Sequence, residues 1–338
     1  MELVSINNNH RQSLPIDCNT QSGKRAHEAP LKEIKRNPFI EANTKEVSLA
    51  SLKKDCIIPN FAKDNEKTIA HHEFIQTALS SVNKMFPNDS INAPEIRVSH
   101  EVKGRVAEAI YKPVKELLEH EKTQYYERMA FIIRIPSLST IINGNKLSLT
   151  VGGVRSYNQE NLYSRKTYEK VKFFIGFQNM VCCNLCISTD GFQDEMRIAN
   201  CEELEAKVLE IIQGYKAEKH LHKMKQLGNC SLTERQFAHL LGKARLYNYL
   251  PKKEKAIIPE LLLNDGQIST IAKDYYNDES FCRDQNGDIN MWNVYNLFTA
   301  ANKSSYIDSF LARNNNALDF CYSIVEVIKS KSPNWFVS

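Results

Sequence analysis

The stretch 171–192, VKFFIGFQNMVCCNLCISTDGF, constrains this chain more than any other. It is almost continuously apolar or small, and it closes on Asp190-Gly191. A run rich in Phe, Val and Ile and bounded by turn residues reads as sheet buried on both faces. A bend is expected near 176–179. The core must then form around the middle of the chain.

The neighbouring segments supply the rest of that sheet. Asn143-Gly144 is the strongest short hairpin signal present, lying between two strand-like stretches, 129–135 and 146–154. Residues 95–102 alternate as a half-buried strand does, and 68–85 read as a helix followed by a turn at 87–90. The spacing of Val114, Leu117, Leu118 and Tyr125 predicts a helix over 107–127, with Pro113 near its start. From Glu202 onward the pattern is helical. Leu204, Val208, Ile211, Ile212 and Tyr215 share one face. Ser231-Leu232-Thr233-Glu234 reads as a capping box opening a helix that runs to about Leu250. Further helices are predicted over 267–276, 291–301 and 317–329.

These signals predict an α+β fold, an antiparallel or mixed sheet in the middle of the chain with a helical C-terminal half. Residues 1–70 are polar, with Asn7-Asn8-Asn9, Lys35-Arg36 and Lys53-Lys54 and no amphipathic period. They read as an extended or disordered arm pinned by Ile57, Ile58 and Phe61. A sheet-containing core over 71–200 and a helical region over 201–338 packed on it complete the expected organisation. The sequence holds no apolar stretch long enough to cross a membrane, and the first residues lack a signal-peptide pattern. Nine scattered cysteines then fit reduced thiols and a cytoplasmic location.

Charge is more informative in its distribution than in its total. Residues 214–255 carry ten Lys/Arg against Glu218, Glu234 and Glu254, a net +7, so the remainder of a +4 chain sums to −3. Tyr215, Phe237, Tyr247 and Tyr249 are interleaved, and His220, His222 and His239 could add charge below neutral pH. Cations beside aromatic faces suit single-stranded nucleic acid, because they neutralise phosphates while rings stack on bases. The residues expected to bind it are Lys216, Lys219, Lys223, Lys225, Arg235, Lys243, Arg245, Tyr247, Lys252 and Lys253. The competing reading is two solvated helix faces, with Phe237 and Tyr247 in the core. A helix-turn-helix over 232–249 and 267–276 is disfavoured by its long linker.

Other chemistry finds little support. Cys183-x-x-Cys186 resembles half a zinc ribbon without a second ligand pair, and strand geometry would send the two sulfurs to opposite faces. The segment Asp284-Gln285-Asn286-Gly287-Asp288 has its glycine at the wrong position for a calcium loop and reads as a turn. Asp89 with Glu101 and Lys103 has the flavour of a metal nuclease, at a spacing chance readily produces. No Walker loop, nucleophile elbow, dinucleotide loop or HExxH is present. No catalytic residue, metal or cofactor is therefore expected.

Val181-Cys182-Cys183-Asn184-Leu185 and Trp292-Asn293-Val294-Tyr295-Asn296-Leu297-Phe298-Thr299 resemble the C-x-N and W-x-x-Y-N-x-x-T segments of uncharacterised phage- and plasmid-associated domains. Residues 95–192 resemble a domain-of-unknown-function family of bacterial mobile elements, and together the similarity covers roughly 95–328. It implies a cytoplasmic protein carried by phage, plasmid or conjugative elements, and it marks Cys182, Asn184, Asp190, Trp292, Asn296 and Thr299. The bland role for these is structural, as turn formers and a core anchor. The leading expectation is an accessory protein that binds or anneals single-stranded nucleic acid. The alternatives are a module that inhibits or recruits a host protein, with 1–70 as contact element, and a hydrolase or nuclease without a known motif.

Overall fold

The structure, a computed structural model, describes residues 37–56, 69–157 and 168–337. The chain enters along the sheet. Phe39 and Ile40 are buried, β1 (Lys45–Glu46) pairs antiparallel with β2 (Glu95–Val98), and α1 (Leu49–Asp55) buries Leu52. The expected arm over 1–70 is thus overturned for 37–56. A few apolar side chains suffice to dock a polar segment when they complete the cover of a sheet face, here beside Ile307, Phe310 and Leu311. Residues 1–36, and 57–68 with Ile57, Ile58 and Phe61, lie outside the described residues. Then α2 (His71–Met85) buries Phe74, Ile75, Ala78 and Val82, one stripe at helical spacing.

The segment 107–127 is not a helix. β3 (Glu101–Arg105) and β4 (Lys122–Tyr126) form a two-stranded ribbon apart from the main sheet, joined by three single 3₁₀ turns. Pro113 cannot donate the hydrogen bond that a helix interior needs. The predicted stripe also finds nothing to cover, since Val114 and Leu118 are exposed. Helical spacing without a partner surface does not hold a helix.

β5 (Arg128–Ile142), β6 (Asn145–Ser156) and β7 (Glu169–Asn179) form an antiparallel meander. Asn143 (φ 48°) and Gly144 (φ 79°) make the two-residue turn between β5 and β6, both in the left-handed region that type I′ demands. β5 runs well past 135, absorbing Pro136 at an irregularity where the ladder with β6 shifts register. β8 (Leu185–Cys186) and β9 (Phe192–Ile198) share the outer edge of β7, giving the order β1-β2-β5-β6-β7 with every pairing antiparallel. The 171–192 run is therefore β7, a turn at 180–183, β8 and the start of β9; the reversal falls just after 176–179. Gly176 permits it. A Cβ there would lie 2.3 Å from the Cys186 carbonyl oxygen.

The pleat sorts the core. Met129, Phe131, Ile133, Phe173 and Ile175 face α2 and the C-terminal helices, while Ala130, Ile132 and Phe174 face Phe39, Ile40, Ile307 and Phe310. Both faces are buried, as the apolar run implied.

The remainder is helical, with α3 (Cys201–Gly214), α4 (Ala217–Leu227), α5 (Glu234–Tyr247), α6 (Lys252–Lys255), α7 (Asp265–Asn277), α8 (Met291–Asn302) and α9 (Ile307–Ser330). The architecture is α+β. Ser231 is not the cap of α5: β10 (Ser231–Leu232) pairs with β11 (Ile289–Asn290), and Thr233 with Gln236 forms the capping box. α9 starts well before 317 because Ile307, Phe310 and Leu311 cover the second sheet face.

Candidate nucleic-acid interface

Apolar spacing sets which way the basic helices face. α4 buries Ala217, His220, Met224 and Leu227, and α5 buries Phe237, Leu240, Ala244 and Tyr247. Most of the charged residues of both helices fall on the opposite sides. The two helices pack on different neighbours, α4 on α9, α8 and β5 and α5 on α7. The expected residues therefore form two sets, one on α4 and one on α5–α6. The end of the chain links them: Lys329 donates to Gln226 of α4 at 3.0 Å, and Trp335 lies 4.6 Å beneath the Lys243 ammonium of α5.

The cations are not equivalent. Lys219 pairs with Asp190 at 3.2 Å, Lys223 with Asp319 at 3.3 Å and Arg245 with Asp265 at 3.6 Å. Lys243 stacks on Trp335, half-buried. Lys216, Lys225, Arg235, Lys252 and Lys253 are exposed and make no ion pair among the described residues. Of the three histidines, His220 contributes no charge. It is buried, its Nδ1 shares a hydrogen bond of 2.7 Å with the Tyr215 hydroxyl, and burial with Lys223 nearby pushes its pKa down to about 3. The expectation that it would add positive charge below neutral pH is overturned.

Tyr247 sits in the core, as the competing reading had it, while Tyr249, to which no role was assigned, stands in solvent. Tyr247 is 5% exposed, packed on Trp335 and Phe336 with the Lys255 ammonium 4.9 Å from its ring centre. Its faces are taken. Tyr249, just past the end of α5, is 74% exposed, and its hydroxyl donates to Asp265 at 2.7 Å. The two line an open groove of about 490 Å³ with Lys255, Arg313 and the chain at Leu261–Leu263. Spacing could have separated them, since Tyr247 continues the 237-240-244 stripe and Tyr249 leaves it.

The residues marked by resemblance meet elsewhere. Asn179 at the end of β7 donates its side-chain amide to Asn296 Oδ1 at 3.0 Å, and the Cys182 thiol lies 3.7 Å from the same oxygen. Asn184 Nδ2 donates to the Asn296 carbonyl at 3.0 Å, while Asn296 Nδ2 donates to the Trp292 carbonyl at 2.9 Å. Lys303, buried, donates to the Cys182 carbonyl at 2.6 Å, and Trp292 Nε1 to Asn145 at 2.6 Å. Thr299 turns its hydroxyl back to the carbonyls of Tyr295 and Asn296. Together these bonds seam the 180–184 turn to α8. Asp190 stands apart, paired with Lys219. Burial pushes the Cys182 thiol up to about 11 and Cys186 to about 12, so neither is a thiolate nucleophile at neutral pH.

Of the remaining motifs, the 284–288 segment is a turn: Asp284 Oδ1 accepts from the backbone of Asn286 and Asp288, and Gly287 holds φ 88°. Asp89 accepts from Ser137, near one end of β5, and Glu101 pairs with Lys45 beyond the other, roughly 25 Å along the strand. That separation dissolves the nuclease constellation. No group of three His, Cys, Asp or Glu suited to a metal occurs among the described residues.

A buried cluster that the sequence gave no sign of sits where α2 meets β6 and β7. Arg155 pairs with Glu169 at 2.6 Å and lies 4.7 Å from the Tyr157 ring centre, and His71 stacks on that ring at 4.4 Å. His71 Nε2 lies 2.7 Å from the Tyr126 carbonyl, which can only accept, so Nε2 carries the proton. Burial, with Arg155 nearby, drives His71 down to about 3; it is no general base at neutral pH.

A protein family described as "Domain of unknown function, B. Theta Gene description (DUF3871)" matches residues 27–337. No curated protein and no solved structure matches the chain. Among the described residues no helix is long and apolar enough to cross a membrane.

Proposed function

As the chain belongs to the DUF3871 family, a domain of unknown function, we propose its role from its own surface: it binds nucleic acid, single strands by preference, across α4–α6. The observation that carries this reading is the set of exposed cations without acidic partners among the described residues, Lys216, Lys225, Arg235, Lys252 and Lys253, in a segment of net +7. Cations already paired with carboxylates have little left for a phosphate, whereas unpaired ones release counterions from it on binding. The resemblance to domains borne by phage, plasmid and conjugative elements would make the protein an accessory factor of such an element, binding or annealing strands.

A salt titration of oligonucleotide affinity tests the reading. The slope of log K against log[salt] should be about −0.7 per phosphate contacted. Replacing Lys216, Lys225, Lys252 and Lys253 by Gln should flatten it by up to about 3, with replacement of the paired Lys219 and Lys223 flattening it less. No binding by the wild type at low salt would end the proposal.

One observation favours a protein-interaction module instead. The tip of the β3–β4 ribbon exposes Ile110, Tyr111, Val114 and Leu118. Residues 101–126 balance five Lys/Arg against five Glu, so nothing draws this tip to a polyanion. Failure of every oligonucleotide would bring this reading forward.

A further inference from the structure

We propose that the groove between Tyr249 and the chain at Leu261–Leu263 seats one unstacked base of a bound single strand, with the Tyr249 ring as its platform. This deepens the nucleic-acid reading and rests on it.

Three features of the groove point to that ligand. A stacking platform must be aromatic, exposed and already ordered, since ordering a ring on binding costs affinity. Tyr249 meets all three conditions: its ring is open to solvent while its hydroxyl is held by Asp265, which Asn248 Nδ2 holds in turn at 2.9 Å. The lining at Leu261–Leu263 is also fixed. Leu261 and Leu263 are buried, and the Leu262 backbone is held from both sides, its N–H donating to Asn316 Oδ1 at 2.9 Å and its carbonyl accepting from Arg313 at 2.9 Å. An ordered ring beside ordered lining, with Leu262 half-buried in it, gives the planar face of a base a preformed seat.

Within the lining Lys255 and Arg313 stand against Glu260 and Asp265, so the positive charge that suits a strand comes from the neighbouring α6. Lys252 and Lys253 are exposed on α6 beside Lys255, and Lys255 donates to the Asn248 carbonyl at 3.2 Å on the groove's own lining. Phosphates flanking a base in the groove would meet these ammonium groups. At about 490 Å³ the groove has room for a nucleotide and is open enough for the chain to enter and leave. A free mononucleotide shares this chemistry and is a separate arm of the test.

The experiment uses the full chain and a fluorescent 15-mer of single-stranded DNA and of RNA, with AMP and CMP as free competitors, at two salt concentrations. Tyr249→Leu should weaken oligonucleotide binding roughly 5- to 150-fold with the salt slope unchanged. Tyr249→Trp should restore it, and 2-aminopurine placed within the strand should change its emission on binding the wild type but not the leucine variant. Because Tyr249 is exposed, folding is not at stake, and thermal unfolding checks this. Salt-dependent binding that Tyr249→Leu leaves intact overturns the base site while the phosphate-binding reading survives. Absence of wild-type binding at low salt overturns both. Tight competition by a mononucleotide, with no dependence on strand length, would replace the strand by a free nucleotide and overturn the proposal as stated.

Discussion

The seam between β7 and α8 and the surface of α4–α6 use polarity in opposite ways. In the seam, Asn179, Asn184, Asn296 and Lys303 are buried and each donates to a partner within the protein. On the surface, Lys216, Lys225, Arg235, Lys252 and Lys253 stand in solvent without an acidic partner among the described residues. A buried amide is retained only where its bonds are met, so the seam specifies how the 180–184 turn sits on α8. An exposed cation is tolerated anywhere and keeps its capacity for an outside anion. The residues that look most like a motif are therefore the structural ones, and the residues with no motif at all carry the proposed function.

Acid should break the comparison most strongly, through the two histidines that belong to the interior. His71 and His220, each pushed down to about 3, stay neutral in the fold, while the unfolded chain protonates them near 6.5. Between those values the unfolded state binds more protons, so stability falls as pH falls. The loss approaches about 1.4 kcal/mol per pH unit for each residue, about 5 kcal/mol for both between pH 6.5 and 4.5. Urea unfolding across that range should record it, and a flat profile would remove both residues from the core.

Cutting the seam comes next. Asn296→Leu leaves the Asn179 amide without its acceptor and should cost about 2–3 kcal/mol, read as a lowered Tm. Oligonucleotide affinity of the folded variant should stay at the wild-type level. A variant that keeps its stability but no longer binds would make the seam a functional site and reverse the contrast drawn above.

The two tyrosines sharpen the comparison within a few residues of chain. Tyr247→Leu should destabilise by about 1–3 kcal/mol, because its ring fills space against Trp335 and Phe336. Tyr249→Leu should change stability by less than about 1 kcal/mol, losing one exposed hydrogen bond. The surface lysines should matter least to the fold: Lys216→Gln, Lys225→Gln, Lys252→Gln and Lys253→Gln should each stay within about 0.5 kcal/mol of wild type. Calorimetry of the variants would rank all of these, and a lysine variant that melts far lower would assign that cation a partner inside the molecule.

What could be read from the sequence alone was what local physics settles. Asn143-Gly144 demanded a tight turn because both positions need positive φ, the 171–192 run demanded two covered faces, and the stripe through Leu204, Val208 and Ile212 marked the buried side of α3. The net charge of 214–255 was equally plain. Only the tertiary structure decided which partners those elements would find. Residues 107–127 had helical spacing and no surface to cover, so they became a ribbon; residues 37–56 looked too polar to fold, yet Phe39 and Ile40 joined Ile307, Phe310 and Leu311 on one sheet face. Asn296 joined Cys182 and Asn184 across more than a hundred positions of chain, and Asp190 and Asp319 took Lys219 and Lys223 out of the free set. A turn or a stripe is set by neighbours within a few residues. A hydrogen bond or an ion pair between distant segments depends on which surfaces folding has already brought together.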